Sequence, residues 1–305
     1  MAAQTSKKLL IALDGSKQSF ETIKYVSSVD LFHQDGFHFV LFTVYNAMPQ
    51  AYRDLGKDPQ FAKSFGEVQR WEIGEKKRCE AFLEHAQAAL IGAGAHPSRV
   101  KCVLRKKKVG IARDIIKEAH GGYSAVMIGR RGSGLMKGLS LGSVAVKLIG
   151  ALTDIPLAVV GRDVPITGNI LMPIDLSVYT ARLADFAASK LAAQAYRLSL
   201  FHVIRSEDFL TAEVEEMLRA EILSAMENVR ERLIKAGMSP DRVSSRIVTG
   251  RRSRAMAIIE EAESEGIGTI MMGRKGMHTF SDFFIGRVSN KVVQMGKKQA
   301  VWIIS

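Results

Sequence analysis

The chain has 305 residues, 47% hydrophobic and 24% charged, a length that implies about two domains and a composition that suits packed cores. No apolar run approaches the roughly 18 residues that cross a bilayer, and the start, MAAQTSKKLLIALDGS, has an apolar run too short and too soon charged for a secretory signal, so a cytoplasmic protein is expected. The net charge of +12 gathers in residues 1–163, with 24 Lys+Arg against 15 Asp+Glu, while residues 164–305 carry 19 against 16.

Leu9 to Leu13 is a continuous apolar run, the pattern of a strand covered on both faces in a parallel sheet. It ends at Asp14-Gly15-Ser16, where Ser16 can cap a helix that carries Phe20, Ile23, Tyr25 and Val26 at roughly helical spacing. Asp14 then lies where a parallel strand meets a loop, the edge at which open α/β sheets hold ligands. A carboxylate there suits ribose hydroxyls or a nucleobase amine; an Asp-Gly pair is equally a turn former. A second strand, Phe37 to Tyr45, leads into an irregular stretch, Asn46 to Gly66, read as a long loop or short helices over the sheet edge and a candidate lid. A long helix over Val68 to Ile91 stops at Gly92-Ala93-Gly94, and His85 on it reads as a surface or packing residue. Val100 to Arg105 is a third strand, Ile111 to Ala119 a helix, and Ala125 to Ile128 a fourth strand.

The fourth strand opens into Gly129 to Ser143, GRRGSGLMKGLSLGS, with five glycines and three basic residues. A helix from Val144 to about Ile149 and a fifth strand, Ile155 to Val160, follow. A glycine-rich loop entering a helix can turn backbone N–H groups toward an anion, and the helix start adds unpaired donors and a positive dipole end. The loop therefore reads as a phosphate site, with a flexible turn carrying solvated arginines as the other possibility. Most of the excess positive charge sits in Lys101, Arg105, Lys106, Lys107, Lys108, Arg130 and Arg131, a cluster without interleaved aromatics. That pattern favours a solvated face or a steering field for small anions over nucleic-acid binding. Cys79 and Cys102 fit no CxxC or zinc spacing and read as free thiols.

The design then begins again. NILMPIDLS, Asn169 to Ser177, repeats KLLIALDGS, Lys8 to Ser16, with Asp175 in place of Asp14. Leu198 to Val203 repeats Val40 to Val44, the helix over 211–236 repeats that over 68–91, and Gly273-Arg274-Lys275-Gly276 repeats Gly129-Arg130-Arg131-Gly132. His202, between Phe201 and Val203, reads as a core histidine. The offset falls from 161 residues at the aspartates to 144 at the glycines, so the first half carries extra chain, mostly after its second strand. Two copies of one βαβ-rich unit imply two domains, 1–163 and 164–305.

Gly129, two residues, Gly132, nine residues and Gly142-Ser143 resemble the nucleotide-binding signature of universal stress proteins. With the LIALDGS start and the Ile-Pro-Leu-Ala-Val-Val finish, the similarity covers both halves, and the chain resembles a tandem universal stress protein. The resemblance implies an α/β fold: two tandem five-stranded parallel-sheet domains, Rossmann-like and of the adenine nucleotide alpha hydrolase-like kind. It also implies an internal pseudo-dimer through the last strands, near Leu157 to Val160 and Val301 to Ile304, and leaves room for a further homodimer. By the same resemblance, ATP, ADP or AMP, with Mg accompanying it, is the expected ligand. Asp14 would stand at the nucleoside side, Val44 beside the adenine, Gly129 near the ribose, and Gly132, Gly142, Ser143 and Val144 around the phosphates. The corresponding second-half residues are Asp175, Val203, Gly273, Gly276, Gly286 and Ser289.

Each half departs from the pattern somewhere. Lys107 stands where Gly250 does in the second half and where the family usually has glycine, so it either crowds the base or reaches over it. Arg287 replaces the expected Ser/Thr, with Ser289 two residues on, and it either neutralises a phosphate or fills its space. Phe280, Phe283 and Phe284 also make the second loop bulkier. Neither loop has Gly-Lys-Ser/Thr at its helix entrance, and no nucleophile, acid and base are brought together. The expectation is a nucleotide-binding regulatory protein acting on an unidentified protein partner, with at most slow ATP hydrolysis. The alternative is a nucleotide-independent interaction protein that holds an acidic partner or RNA through its basic first half.

Overall fold

A computed structural model describes residues 8–29, 37–48, 50–55, 60, 62–131, 141–191, 195–205, 211–276 and 285–305. The first half runs β1 (Lys8–Leu13), α1 (Lys17–Ser28), β2 (His38–Tyr45), α2 (Gln50–Leu55), α3 (Ala62–Gly92), β3 (Val100–Lys106), α4 (Ile111–Ala119), β4 (Ala125–Gly129), α5 (Ser143–Ala151) and β5 (Leu157–Val160). The second runs β6 (Asn169–Pro173), α6 (Val178–Leu191), β7 (Arg197–Arg205), α7 (Ala212–Lys235), β8 (Val243–Arg251), α8 (Arg254–Ser264), β9 (Thr269–Gly273), α9 (Arg287–Met295) and β10 (Ala300–Ile304).

The ten strands form one sheet in the order β3-β2-β1-β4-β5-β10-β9-β6-β7-β8. Pairing is parallel throughout each half. The halves join where β5 meets β10 antiparallel, with Val160 opposite Ala300 and Leu157 opposite Ile303. The expected pairing through the last strands is therefore observed, and it makes a continuous sheet.

Strand alternation divides the core between two faces. Leu9, Ile11 and Leu13 pack with Ile23 of α1 and Leu83 of α3, while Leu10 and Ala12 pack with Ala112 of α4 and Ala145 of α5. Each cluster continues into the second half. At the junction Trp302 of β10 lies opposite the small Ala158 of β5. Its indole donates to the Tyr25 hydroxyl at 3.2 Å, that hydroxyl pairs with Thr269 at 3.0 Å, and Phe186 packs 6.0 Å away. A residue from each half thus closes on one buried tryptophan.

The start of the long helix differs from the sequence reading. α3 begins at Ala62, six residues before Val68, because its first described turns are largely exposed and carry no apolar stripe to read. The short helix α2 falls within the stretch read as loop or short helices. Glu72 anchors that region: it accepts from the Met48 N–H at 3.1 Å and from Arg53 at 3.4 Å, and pairs with Lys106 at 3.3 Å.

Candidate functional site

In each half the strand order turns back between the first and fourth strands, β1 beside β4 and β6 beside β9. A crevice at the carboxyl ends of such neighbours is the usual ligand site of open α/β sheets. Asp14 follows β1 and Gly129 ends β4, so two residues far apart in sequence stand at the same end of neighbouring strands.

The first half builds its side of the crevice from tight turns. The Ser16 N–H donates to Asp14 Oδ1 at 3.1 Å, and the Ser16 hydroxyl caps α1 by accepting from the Ser19 N–H at 3.0 Å. Gly129 backs closely onto α1, since a Cβ there would come within 3.3 Å of the Gln18 carbonyl oxygen and Ser19 Cα. The described end of the glycine loop is pinned by the Gly142 N–H donating to the Arg130 carbonyl at 3.0 Å. Gly142 is the N-cap of α5 and supplies no side-chain acceptor to the helix's first N–H groups, unlike the hydroxyl caps Ser16, Thr211 and Ser253 of α1, α7 and α8. Ser143 is exposed at the first helical position, while Val144 is half-buried against the core. Val44 is buried near the end of β2. Lys107 follows β3, its N–H on the Tyr45 carbonyl at 3.0 Å and its ammonium on Asn46 Oδ1 at 2.8 Å. Gly132 lies outside the described residues, as do Phe280, Phe283 and Phe284.

The second half repeats the frame and tightens it. Asp175 Oδ1 accepts from the Ser177 N–H at 3.0 Å, the Ser177 hydroxyl at 2.6 Å and Thr180 at 2.9 Å. A Cβ on Gly276 would stand 2.8 Å from Asp175 Oδ2, and one on Gly273 would stand 2.7 Å from Tyr179 Cβ, so loop and helix are in contact. Gly286 donates to the Arg274 carbonyl at 2.9 Å, and Arg287 is exposed at the first position of α9. Gly250 has φ +70, a conformation that suits glycine, whereas Lys107 has no such backbone, so the two strand ends take different paths. Val203 is buried and its carbonyl accepts from Arg254 Nε at 3.2 Å. Ser289, expected at the phosphates, is buried, and its hydroxyl donates to the Gly273 carbonyl at 2.8 Å. It occupies the place of Ala145, a core position, and ties strand to helix. His202 is buried as expected, with Nδ1 donating to the Ile174 carbonyl at 2.6 Å.

The basic cluster of the sequence is not one patch. Arg130 is only 8% exposed and donates to the carbonyls of Val293, Gln294 and Gly296, the last at 3.1 Å. Arg274 does the reciprocal thing, donating to the carbonyls of Leu152 and, at 2.8 Å, Ile149. Each glycine loop thus sends its first side chain into the last turn of the other half's helix, α9 or α5. Those last-turn carbonyls carry no partner within their own helix, and the negative dipole end favours a cation there. Burial, reinforced by Arg131, pulls the Arg130 pKa down to about 10, which leaves it charged at neutral pH; burial likewise lowers that of Arg274. These two arginines were missed as structural residues. The signal was present: arginine follows the glycine in both copies, Gly129-Arg130 and Gly273-Arg274. Arg105 and Lys106 also have acidic neighbours, Glu118 at 3.8 Å and Glu72 at 3.3 Å.

Among the described residues, no helix is long and apolar enough to cross a membrane. The chain is similar to the universal stress protein YxiE of Bacillus subtilis (strain 168), 25% identical over 141 residues, 42% of this chain and 92% of that protein. Its fold is similar to the crystal structure of a universal stress protein from Archaeoglobus fulgidus DSM 4304, with TM-score 0.64 and 19% identity over 98% of both chains. It is also similar to PA1789 of Pseudomonas aeruginosa PAO1, a functionally unknown protein, with TM-score 0.60 and 14% identity over 99% of this chain and 93% of that one. The family model described as the universal stress protein family matches twice, over residues 5–161 and 167–303. With the domain present twice in one continuous sheet, the chain belongs to the universal stress protein family as a tandem member.

Proposed function

We propose that the protein is an adenine-nucleotide-binding regulatory protein, with its main site in the first half. The observation that carries this reading is the placing of Asp14 and Gly129 at the ends of neighbouring strands where the strand order turns back, beside a helix whose glycine cap leaves its first N–H groups without a side-chain acceptor. Such N–H groups suit phosphate oxygens, and the Asp14 carboxylate suits ribose hydroxyls or a base amine. The Ser143 hydroxyl, exposed at the helix start, adds a donor to the phosphates.

The second half is the weaker binder. Asp175 Oδ1 already accepts from the Ser177 N–H and hydroxyl, Arg254 takes the Val203 carbonyl, and Arg287 stands at the helix start. Hydrolysis of ATP is at most slow and secondary, since neither loop supplies Gly-Lys-Ser/Thr. The nucleotide-bound face of the first half is what a protein partner reads. Mass spectrometry of small molecules released from the purified protein on denaturation tests the proposal: an adenine nucleotide is expected. Absence of one, together with no binding of ATP, ADP or AMP at millimolar concentration, contradicts it.

A further inference from the structure

A trough of about 500 Å³ lies between α6 and α7 of the second half, bounded by Asp175 and Ser177 at one end and Arg232 and Lys235 at the other. Its floor includes Ala181, Ala225 and Val229, with Asn228 on the wall. The first half has the same two helices, α1 and α3, in the same relation. The Asp-x-Ser turns set the equivalence of α1 with α6, which places Phe20 at the position of Ala181. The helix ends set that of α3 with α7: Gly94 and Gly237 both have φ +104, and buried Leu83, Ala86 and Leu90 match buried Met226, Val229 and Leu233. Phe82 then corresponds to Ala225 and His85 to Asn228. In the first half these are in contact, Phe20 edge-on to Phe82 at 5.9 Å and stacked on His85 at 4.8 Å. Three rings fill one half's groove, and two alanines and an asparagine line the other's.

We propose that the second-half trough is a binding site for a small aromatic carboxylate, its ring taking the place that Phe20, Phe82 and His85 fill in the first half. Chemistry at the two ends sets the orientation. The Ser177 and Thr180 hydroxyls at the Asp175 end are turned inward onto Asp175, Ser177 also onto the Lys275 carbonyl. The groove-lining donors at the other end are Asn228, Arg232 and Lys235, with the Glu231 carboxylate lining it beside them. Arg232 meets Asp185 through a single nitrogen at 2.9 Å, and Lys235 meets Glu231 at 3.4 Å on the surface. A guanidinium has five donors in a fork that matches a carboxylate, so Arg232 can hold a second acceptor while keeping the first. A volume of this size is ordinary for a small-molecule site. The trough shares Asp175 with the second-half nucleotide candidate, but the ring and carboxylate positions lie on α6 and α7, at Ala181, Ala225, Asn228 and Arg232, so the inference stands apart from the first-half nucleotide reading.

The test is calorimetric titration of the full chain with 2-naphthoate, with and without saturating ATP. Saturable binding at one site per chain, unchanged by ATP, is expected. Ala225→Phe, which restores the ring of Phe82, should abolish it while leaving the thermal unfolding midpoint unlowered. Arg232→Ala should weaken naphthoate about tenfold, the value of a charge-assisted hydrogen bond, and leave the neutral analogue 2-naphthylmethanol unaffected. No saturable binding by the wild type, displacement by ATP, or full binding by folded Ala225→Phe or Arg232→Ala would overturn the assignment.

Discussion

The guanidinium of Arg130 donates to the carbonyl of Gly296 at 3.1 Å, although one follows the fourth strand of the first half and the other caps the last helix of the second. Arg274 binds the end of α5 in return, so the sheet junction is clamped from both sides. Arg130→Met should cost about 3 kcal/mol of unfolding free energy, because the shape is largely kept while buried carbonyls lose a charged donor. Urea unfolding followed by fluorescence measures it. The clamp also predicts that Arg130→Met separates the unfolding of the halves into two steps; an unshifted single transition contradicts it.

Tyr25 lies at the other face of the junction. Tyr25→Phe leaves the Trp302 indole N–H without its acceptor and should cost about 1–2 kcal/mol. Burial raises the Tyr25 pKa above its ordinary value of 10.0. The unfolded chain therefore ionises first, so the contribution of Tyr25 is complete below pH 10 and is lost as pH rises through the folded-state pKa. Stability measured from pH 8 to 11 should fall less steeply in Tyr25→Phe than in the wild type.

Two glycines should respond to alanine with opposite signs. Gly74, inside α3, has nothing within 4 Å of a new Cβ, and Gly74→Ala should stabilise by about 0.5–1 kcal/mol. At Gly161, just after β5, a Cβ would overlap the carbonyls of Lys297 and Gln299, so Gly161→Ala should destabilise by about 1–3 kcal/mol. Thermal unfolding of both variants gives the comparison.

Much of the frame was legible because its signals are local. Continuous apolar runs marked β1 and β4, Ser16 marked the start of α1, and the repeated Asp and glycine turns revealed the duplication. Arg130 and Ser289 were not legible in the same way. An arginine in a glycine loop reads as a solvated or anion-steering charge until the partner helix end is known, and a serine near a helix start reads as a donor until it is found buried on Gly273. The first turns of α3 lacked an apolar stripe, and the groove beside α6 appears only when two helices far apart in sequence are laid together.

The most direct measurement is calorimetric titration of ATP into the full chain, its Asp14→Asn variant and its Asp175→Asn variant. Asn keeps the turn's acceptor and removes the charge, so the fold is preserved in both. The account predicts one principal site, weakened about tenfold or more by Asp14→Asn and unchanged by Asp175→Asn. Binding that survives Asp14→Asn intact, or that is lost only with Asp175→Asn, contradicts it.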